Sequence, residues 1–343
     1  MLGRRKEAAA RPRSISNWLA LAALLVFAMV VIGGITRLTG SGLSMVRWEP
    51  LSGIVPPIGE AAWQAEFDSY RQSPQYEQVN RGMSLADFKA IFFWEYVHRL
   101  LGRVLGLVFA LPLAWFWWRR EIPAGYGWKL GAILALGALQ GGIGWWMVAS
   151  GLVDRPEVSH IRLAVHLLTA LAILGALVWV ALDLRRLTAD PAAPAARMPV
   201  LGLWAVSVLF LQFLFGAYVA GLDAGYAFNS WPKMGDEWFP SGTPMLEPWM
   251  ANLADNQVVV QFIHRWLAFV AAGFVLALAW CAARQGDLRH GAILAAAVAL
   301  QILLGILTLV SGVEIRLAVA HQAMAALLLA ALVTTAHRVG SRA

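Results

Sequence analysis

Glu95-Tyr96-Val97-His98-Arg99 and Gln261-Phe262-Ile263-His264-Arg265 are one pattern written twice, and each copy lies inside a long apolar run. The correspondence extends outward from both copies. Downstream, Leu139-Gln140 with Gly144, Ser150 and Gly151 matches Leu300-Gln301 with Gly305, Ser311 and Gly312. Arg162-Leu-Ala-Val-His166 matches Arg316-Leu-Ala-Val-Ala-His321, which is one residue longer. Upstream the match is weaker, through Gly33 with Gly216, Gly42 with Gly225 and Trp48 with Trp231.

The runs that carry these motifs set the solvent. Of 343 residues, 59% are hydrophobic and only 14% charged, where a soluble domain would carry roughly a quarter charged residues. The apolar residues come in blocks of about 20, the length that crosses a bilayer as helix. Backbone groups in such blocks must be satisfied within helices. The pattern predicts spans at 17–37, 92–118, 128–150, 160–182, 199–222, 258–283, 290–311 and 316–336. Ser84-x-x-Asp87 reads as a capping box opening a helix that feeds the second span, and Gly59–Arg71 has helical periodicity. The net charge of +7 is spread over loop ends. It reads as a topology signal rather than as a nucleic-acid surface. The single cysteine, Cys281, excludes an intrachain disulfide and any cysteine-based metal motif.

Arg4, Arg5, Lys6, Arg11 and Arg13 lead into a full-length apolar run without a small-residue cleavage site, which predicts a retained first helix. Lys and Arg concentrate at the N-terminus, at the C-terminus and in the linkers after the second, fourth and sixth spans. By the positive-inside rule both termini are cytoplasmic, in a bacterial inner membrane in preference to a mitochondrial one. The expected fold is an all-α polytopic membrane protein with eight transmembrane helices in two parallel-repeat four-helix bundles. The halves are 1–184 and 199–343, and 185–198 is a cytoplasmic linker with Pro191 and Pro194. Two long outer loops, about 38–90 and 223–257, are expected to cover a site.

His98, His166, His264 and His321 fall near the outer starts of the second, fourth, sixth and eighth spans, so each half carries a pair at similar depth. An ionisable side chain at that depth is costly and faces the bundle interior. A lone one is commonly an interhelical hydrogen-bonding residue. Two repeat-related pairs instead suit the axial ligation of one planar haem per half, and zinc lacks a third ligand. The halves differ at Glu95 against Gln261, each one turn before a histidine. A carboxylate at a haem edge can accept protons or stabilise positive charge, and an amide cannot change charge. The blander reading is that Glu95 only pairs with Arg99. Arg37, Arg99, Arg103, Arg162, Arg265 and Arg316 are candidate partners for haem propionates, or snorkelling side chains. Among the 17 Trp, Trp48, Trp145, Trp146 and Trp231 are placed to wall a haem, although most suit interfacial belts. His160, His290 and His337 read as interfacial.

Taken together, Arg37-Leu-Thr-x-Ser-Gly-Leu-Ser44, Glu95-x-x-His98-Arg99 with Gly102-Arg103, Gly221-Leu-Asp-Ala-Gly225, Asn229-x-Trp231-Pro232 and His264-Arg265 resemble the haem A synthase family, from about Asn17 to His337. The resemblance implies a membrane oxidoreductase that turns a ring methyl of haem O into a formyl through a hydroxymethyl intermediate, giving haem A for cytochrome c oxidase. It implies that His98 and His166 flank haem O or haem A, that Glu95 is the catalytic carboxylate, and that His264 and His321 ligate the iron of a haem b. The implied partners are haem O synthase and assembly factors of the oxidase; an electron partner is required but not identified, and a homo-oligomer is allowed. Some members carry a cysteine pair in the first outer loop. This chain has none there and resembles the cysteine-free branch.

Two rivals come from other classes. A two-haem b-type electron carrier also needs four histidines, but such carriers place haems at different depths and give Glu95 no task. A repeat-built transporter predicts interrupted helices at the midplane, and Pro112 has no counterpart in the sixth span.

Overall fold

The computed structural model describes residues 10–47, 52–153 and 155–342. Trp48, and with it the expected Trp48–Trp231 correspondence, lies outside the described residues. The regular elements among the described residues are helices, with one isolated bridge between Met234 and Glu237. Among them eight helices are long and apolar enough to cross a membrane: Pro12–Leu38, Leu85–Trp118, Gly127–Ala149, His160–Ala189, Val200–Gly221, Gln257–Arg284, Leu288–Val310 and Ile315–Gly340. They are called the first to eighth spans.

The helix starts are chemically fixed. Each histidine-bearing span begins on a side-chain cap: Ser84 on the second, Ser159 on the fourth, Asn256 on the sixth and Glu314 on the eighth. Each satisfies backbone N–H groups that lack an intrahelical partner, worth about 1 kcal/mol apiece. At Ser84 the box is reciprocal, because Asp87 also accepts from the Ser84 backbone. The second span therefore starts seven residues earlier than hydropathy places it, and its first two turns stand in the loop layer.

There the first outer loop is built onto the second span. Its helix Glu60–Tyr70 contributes Phe67 and Tyr70, which pack with Phe88 and Phe92 of the span into a small buried aromatic cluster. The main core runs between the spans, through Ile15, Leu19, Leu177, Leu184, Leu278, Leu294, Leu328 and Leu332. Large side chains such as Leu107, Leu111, Trp118, Leu203 and Trp280 point outward, as lipid-facing residues must.

The first span packs along the fourth and against the second, while the third rests mainly on the fourth. In the second half the fifth, sixth, seventh and eighth spans pack in sequence order. The halves meet where the first span touches the eighth and the fourth touches the fifth and eighth. Polar ties cross this interface. Gln322 donates from Nε2 to Val30 O at 2.7 Å. Arg37 donates to Ala220 O at 3.0 Å and to Asp223 at 3.2 Å.

Two expectations need correction. The fourth span continues to Ala189, past the predicted end at 182, because the buried faces of Asp183 and Leu184 continue the packed stripe. His337 is not interfacial. It is 2% exposed, with Nε2 2.9 Å from Asp183 Oδ1 and its ring edge-on to Trp179. A polar partner on the fourth span explains its burial, and that partner is too distant in sequence for periodicity to reveal.

Candidate functional site

His98, His166, His264 and His321 are each positioned by a glycine. A Cβ added at Gly33, Gly144, Gly216 or Gly305 would sit 3.0, 3.1, 2.9 or 2.9 Å from the Cε1 of His98, His166, His264 or His321, respectively. In each case the glycine is on the preceding span. At Gly216 and Gly305 a side-chain carbon would have to displace the imidazole, and at Gly33 and Gly144 it would press on it more tightly than side-chain carbons usually do. Each ring thus turns its Cε1 corner, with Nδ1 next nearest, toward bare backbone. His98 lies within electrostatic reach of His166, and His264 within reach of His321, so the rings are grouped by half. Among the described residues no cluster of three or more His, Cys, Asp or Glu forms a compact metal site.

Glutamines complete three of the four settings. Gln140, Gln212 and Gln301 bring Nε2 within 3.1, 3.0 and 3.2 Å of the Nδ1 of His166, His264 and His321. Each stands four residues before the glycine of its own span. The sequence signal is Gln-x-x-x-Gly, in the third, fifth and seventh spans. Residue-type matching between repeats caught Gln140 and Gln301 but not Gln212, because the first span has Met29 at that place.

Glu95 is 3% exposed and tied on both oxygens. Ser44 Oγ and the Met45 N–H each donate to Oε2 at 2.7 Å, and Arg99 Nη2 donates to Oε1 at 2.5 Å. The pairing with Arg99 is real, yet it is only one of three donors. The carboxylate also pins the chain leaving the first span. The second half repeats the frame without the charge. Gln261 donates from Nε2 to Phe228 O at 2.9 Å and accepts from Arg265 at 3.3 Å. Ala227, with no hydroxyl, occupies the place of Ser44.

The arginines resolve into distinct tasks. Arg99 donates to Arg47 O and Met45 O at 3.1 and 2.8 Å. Arg265 donates to Ser230 O, Lys233 O and Phe228 O at 2.8, 3.1 and 2.9 Å. Both fork onto loop carbonyls, each bond being worth roughly 1.5–3 kcal/mol. Arg37 is engaged between the halves, and Arg162 donates to Trp146 O at 2.8 Å while stacking on the Trp146 ring. Arg316 has a 95% exposed side chain. Trp231 stacks with Trp266 and Phe269, while Trp145 and Trp146 are turned largely outward.

Near this end of the bundle, Glu157 lies with Arg37 and Asp223, and His160 Nε2 is 3.1 Å from Asp255. Burial, joined by the neighbouring Asp223 carboxylate, pushes the Glu157 carboxyl up, and Arg37 opposes this only in part. His290 sits beside Asp287 at a helix start, as an interfacial residue would.

Residues 16–333 match the model of the family described as cytochrome oxidase assembly protein, COX15-CtaA. Among curated relatives, a protein of Rhizorhabdus wittichii named heme A synthase is 56% identical over 98% of this chain and 97% of its own length. One of Sphingopyxis alaskensis with the same name is 51% identical over 97% of this chain and 94% of its own. A third, from Novosphingobium aromaticivorans, is 48% identical over 96% of both.

Proposed function

The chain belongs to the cytochrome oxidase assembly family, and on that premise we propose that it is a membrane oxidoreductase that converts haem O to haem A for cytochrome c oxidase. The observation that carries the reading is the contrast between two matched histidine settings, only one of which has a carboxylate. Glu95 lies one turn from His98, where the second half has Gln261 beside His264.

In this reading His98 and His166 hold the substrate haem and His264 and His321 hold a haem b. The residues fit such groups. Imidazoles lying in glycine notches can present a ring nitrogen, and the buried Oε1 atoms of Gln140, Gln212 and Gln301 have no hydrogen-bond partner among the described residues. A half-turn of each amide, whose N and O are assigned rather than distinguished, offers that oxygen to a ring N–H. Haem b would supply a one-electron redox centre. Converting a ring methyl to a formyl adds one oxygen and, counted against water, removes four electrons and four protons. Positive charge develops at the ring edge as electrons leave. Glu95 answers it with a negative charge fixed in place by Ser44, Met45 and Arg99, so no reorganisation is needed when the charge appears. Gln261 offers the same shape without the charge. The first outer loop, fastened to the second span through the same carboxylate and through Phe67, Tyr70, Phe88 and Phe92, closes the site from above.

The farnesylated substrate is lipid-soluble and reaches the first half from the bilayer. The second and third spans touch over a short stretch only, unlike the sixth and seventh. We place the protein in the bacterial inner membrane with both termini cytoplasmic. Haem O synthase and oxidase assembly factors are its expected partners.

The test is acid extraction of haems from the purified protein, with separation by chromatography and mass spectrometry. Haem B accompanied by haem O, its hydroxymethyl form or haem A supports the reading. Haem B alone at two per chain would sink it in favour of an electron carrier.

A further inference from the structure

Three of the four imidazoles have a glutamine at Nδ1, and the exception is informative. Gly33, Gly144, Gly216 and Gly305 are preceded by four residues, one helical turn, by Met29, Gln140, Gln212 and Gln301. A methionine thioether has no N–H or O–H and accepts hydrogen bonds weakly. The Met29 methyl lies toward Gly102, 3.7 Å from where a Cβ there would stand. His98 Nδ1 is buried and has no hydrogen-bond partner among the described residues. The glycine notch is present at His98, so the ring is placed like the other three and differs only in what meets Nδ1.

The difference bears on ligand strength. An imidazole that binds a metal through one nitrogen normally donates its other N–H to a partner, which fixes the ring and raises its basicity; losing that partner typically costs about 10–100-fold in metal affinity. Turning the Gln301 amide to accept from His321 costs it no other bond. For Gln140 and Gln212 the turn gains the bond to the ring, gives up a bond to the histidine's own carbonyl at 2.9 and 3.0 Å and sets Oε1 against that oxygen, so the support is strongest at His321.

We propose that Met29 makes His98 the releasable axial ligand of the substrate haem, so that the iron stays anchored on His166 and opens to a small neutral molecule on the Glu95 side. This rests on the reading that His98 and His166 hold the substrate. Met29 acts through His98 and is a positioning residue. The second half, with Gln212 and Gln301 on its two histidines, keeps both ligands.

The experiment is titration of the reduced, full-length, haem-loaded protein with carbon monoxide, read as an optical difference spectrum. In the wild type one of the two haems takes up the probe. Met29→Gln gives Nδ1 the missing partner and is expected to weaken carbon monoxide binding by about tenfold or more at unchanged haem content. Equal affinity in the wild type and Met29→Gln overturns the proposal, as does a wild type in which neither haem reacts. Gln301→Met tests the same rule in the other half without touching the first. It is expected to make the second haem reactive, and an inert second haem overturns the rule even where Met29→Gln does not fold. His98→Ala separates the two levels. An axial-ligand spectrum unchanged by that substitution removes the site reading and this proposal with it. A changed spectrum together with an indifferent Met29→Gln removes this proposal alone.

Discussion

The first four and the last four spans hold their histidines against glycine in the same way and differ in what surrounds them. Ser44 and Glu95 in one half stand where Ala227 and Gln261 stand in the other, and Met29 stands where Gln212 does. The arginine that forks onto loop carbonyls is common to both, as Arg99 and Arg265. The comparison teaches that the frame and the chemistry are separable. Backbone notches, helix caps and arginine forks set where a planar cofactor can lie. A few side chains that carry little of the packing decide whether anything happens to it.

The largest effect should come from erasing the main difference. Glu95→Gln keeps the length of the side chain and an oxygen to accept from Ser44 and Met45. It should retain haem but lower oxidation by about 100-fold or more, measured as haem A formed per chain. Full turnover by this variant would empty the comparison of chemical meaning. Next, His264→Ala should reduce extractable haem to the substrate species, and His166→Ala, which removes the anchoring ligand of the other site, should leave only haem b. Loss of both from either substitution would show that the halves are coupled sites. Smaller again, Gly216→Ala drives a methyl to 2.9 Å from the His264 ring. It should cost about 1–3 kcal/mol, visible as weaker retention of one haem, with Gly144→Ala, which crowds His166, doing the same to the other. A symmetric response would confirm that the notch is shared.

The smallest effect concerns the seam between the halves. The Glu157 carboxyl is pushed up in the folded protein by burial and by Asp223. A raised folded-state value means that the charged form is the strained one. The cost is present at neutral pH and disappears as pH falls through the folded value toward the ordinary carboxylate range. Glu157→Gln should therefore melt slightly higher than the wild type at pH 7, with the gap closing on acidification. A Glu157→Gln variant that melts lower than the wild type at pH 7 would mean that the Arg37 pairing outweighs burial.

Much of this was legible in the residues. Hydropathy placed eight spans because lipid allows little else, and Ser84-x-x-Asp87 announced the start of the second. The histidines stood out because charge-capable groups are rare in such runs. The settings around them were less accessible. A glycine notch depends on how far each helix is rotated toward its neighbour, and rotation comes from packing, not from one helix's own pattern. Gln212 carried a usable signal in Gln-x-x-x-Gly, but the repeat comparison hides it where Met29 breaks the match. His337 was misplaced because its position near the end of a span looks interfacial. Only the partner on the fourth span, 154 positions away, shows that it is buried.

That partner also matters for the order in which the protein is made. Asp183 lies 17 residues beyond His166, about 25 Å down the same helix, with its side chain fully enclosed. Besides His337 it meets Lys129 Nζ at 3.5 Å and the Ala196 N–H at 3.1 Å. Ribosomes deliver the fourth span long before the eighth, so this carboxylate enters the bilayer with its last partner still unwritten. A chain stopped a few residues short of His337 would own all four imidazoles and leave Asp183 with only Lys129 and the Ala196 N–H as partners. The final helix thus supplies, through His337, the last polar contact around an enclosed carboxylate of the fourth span.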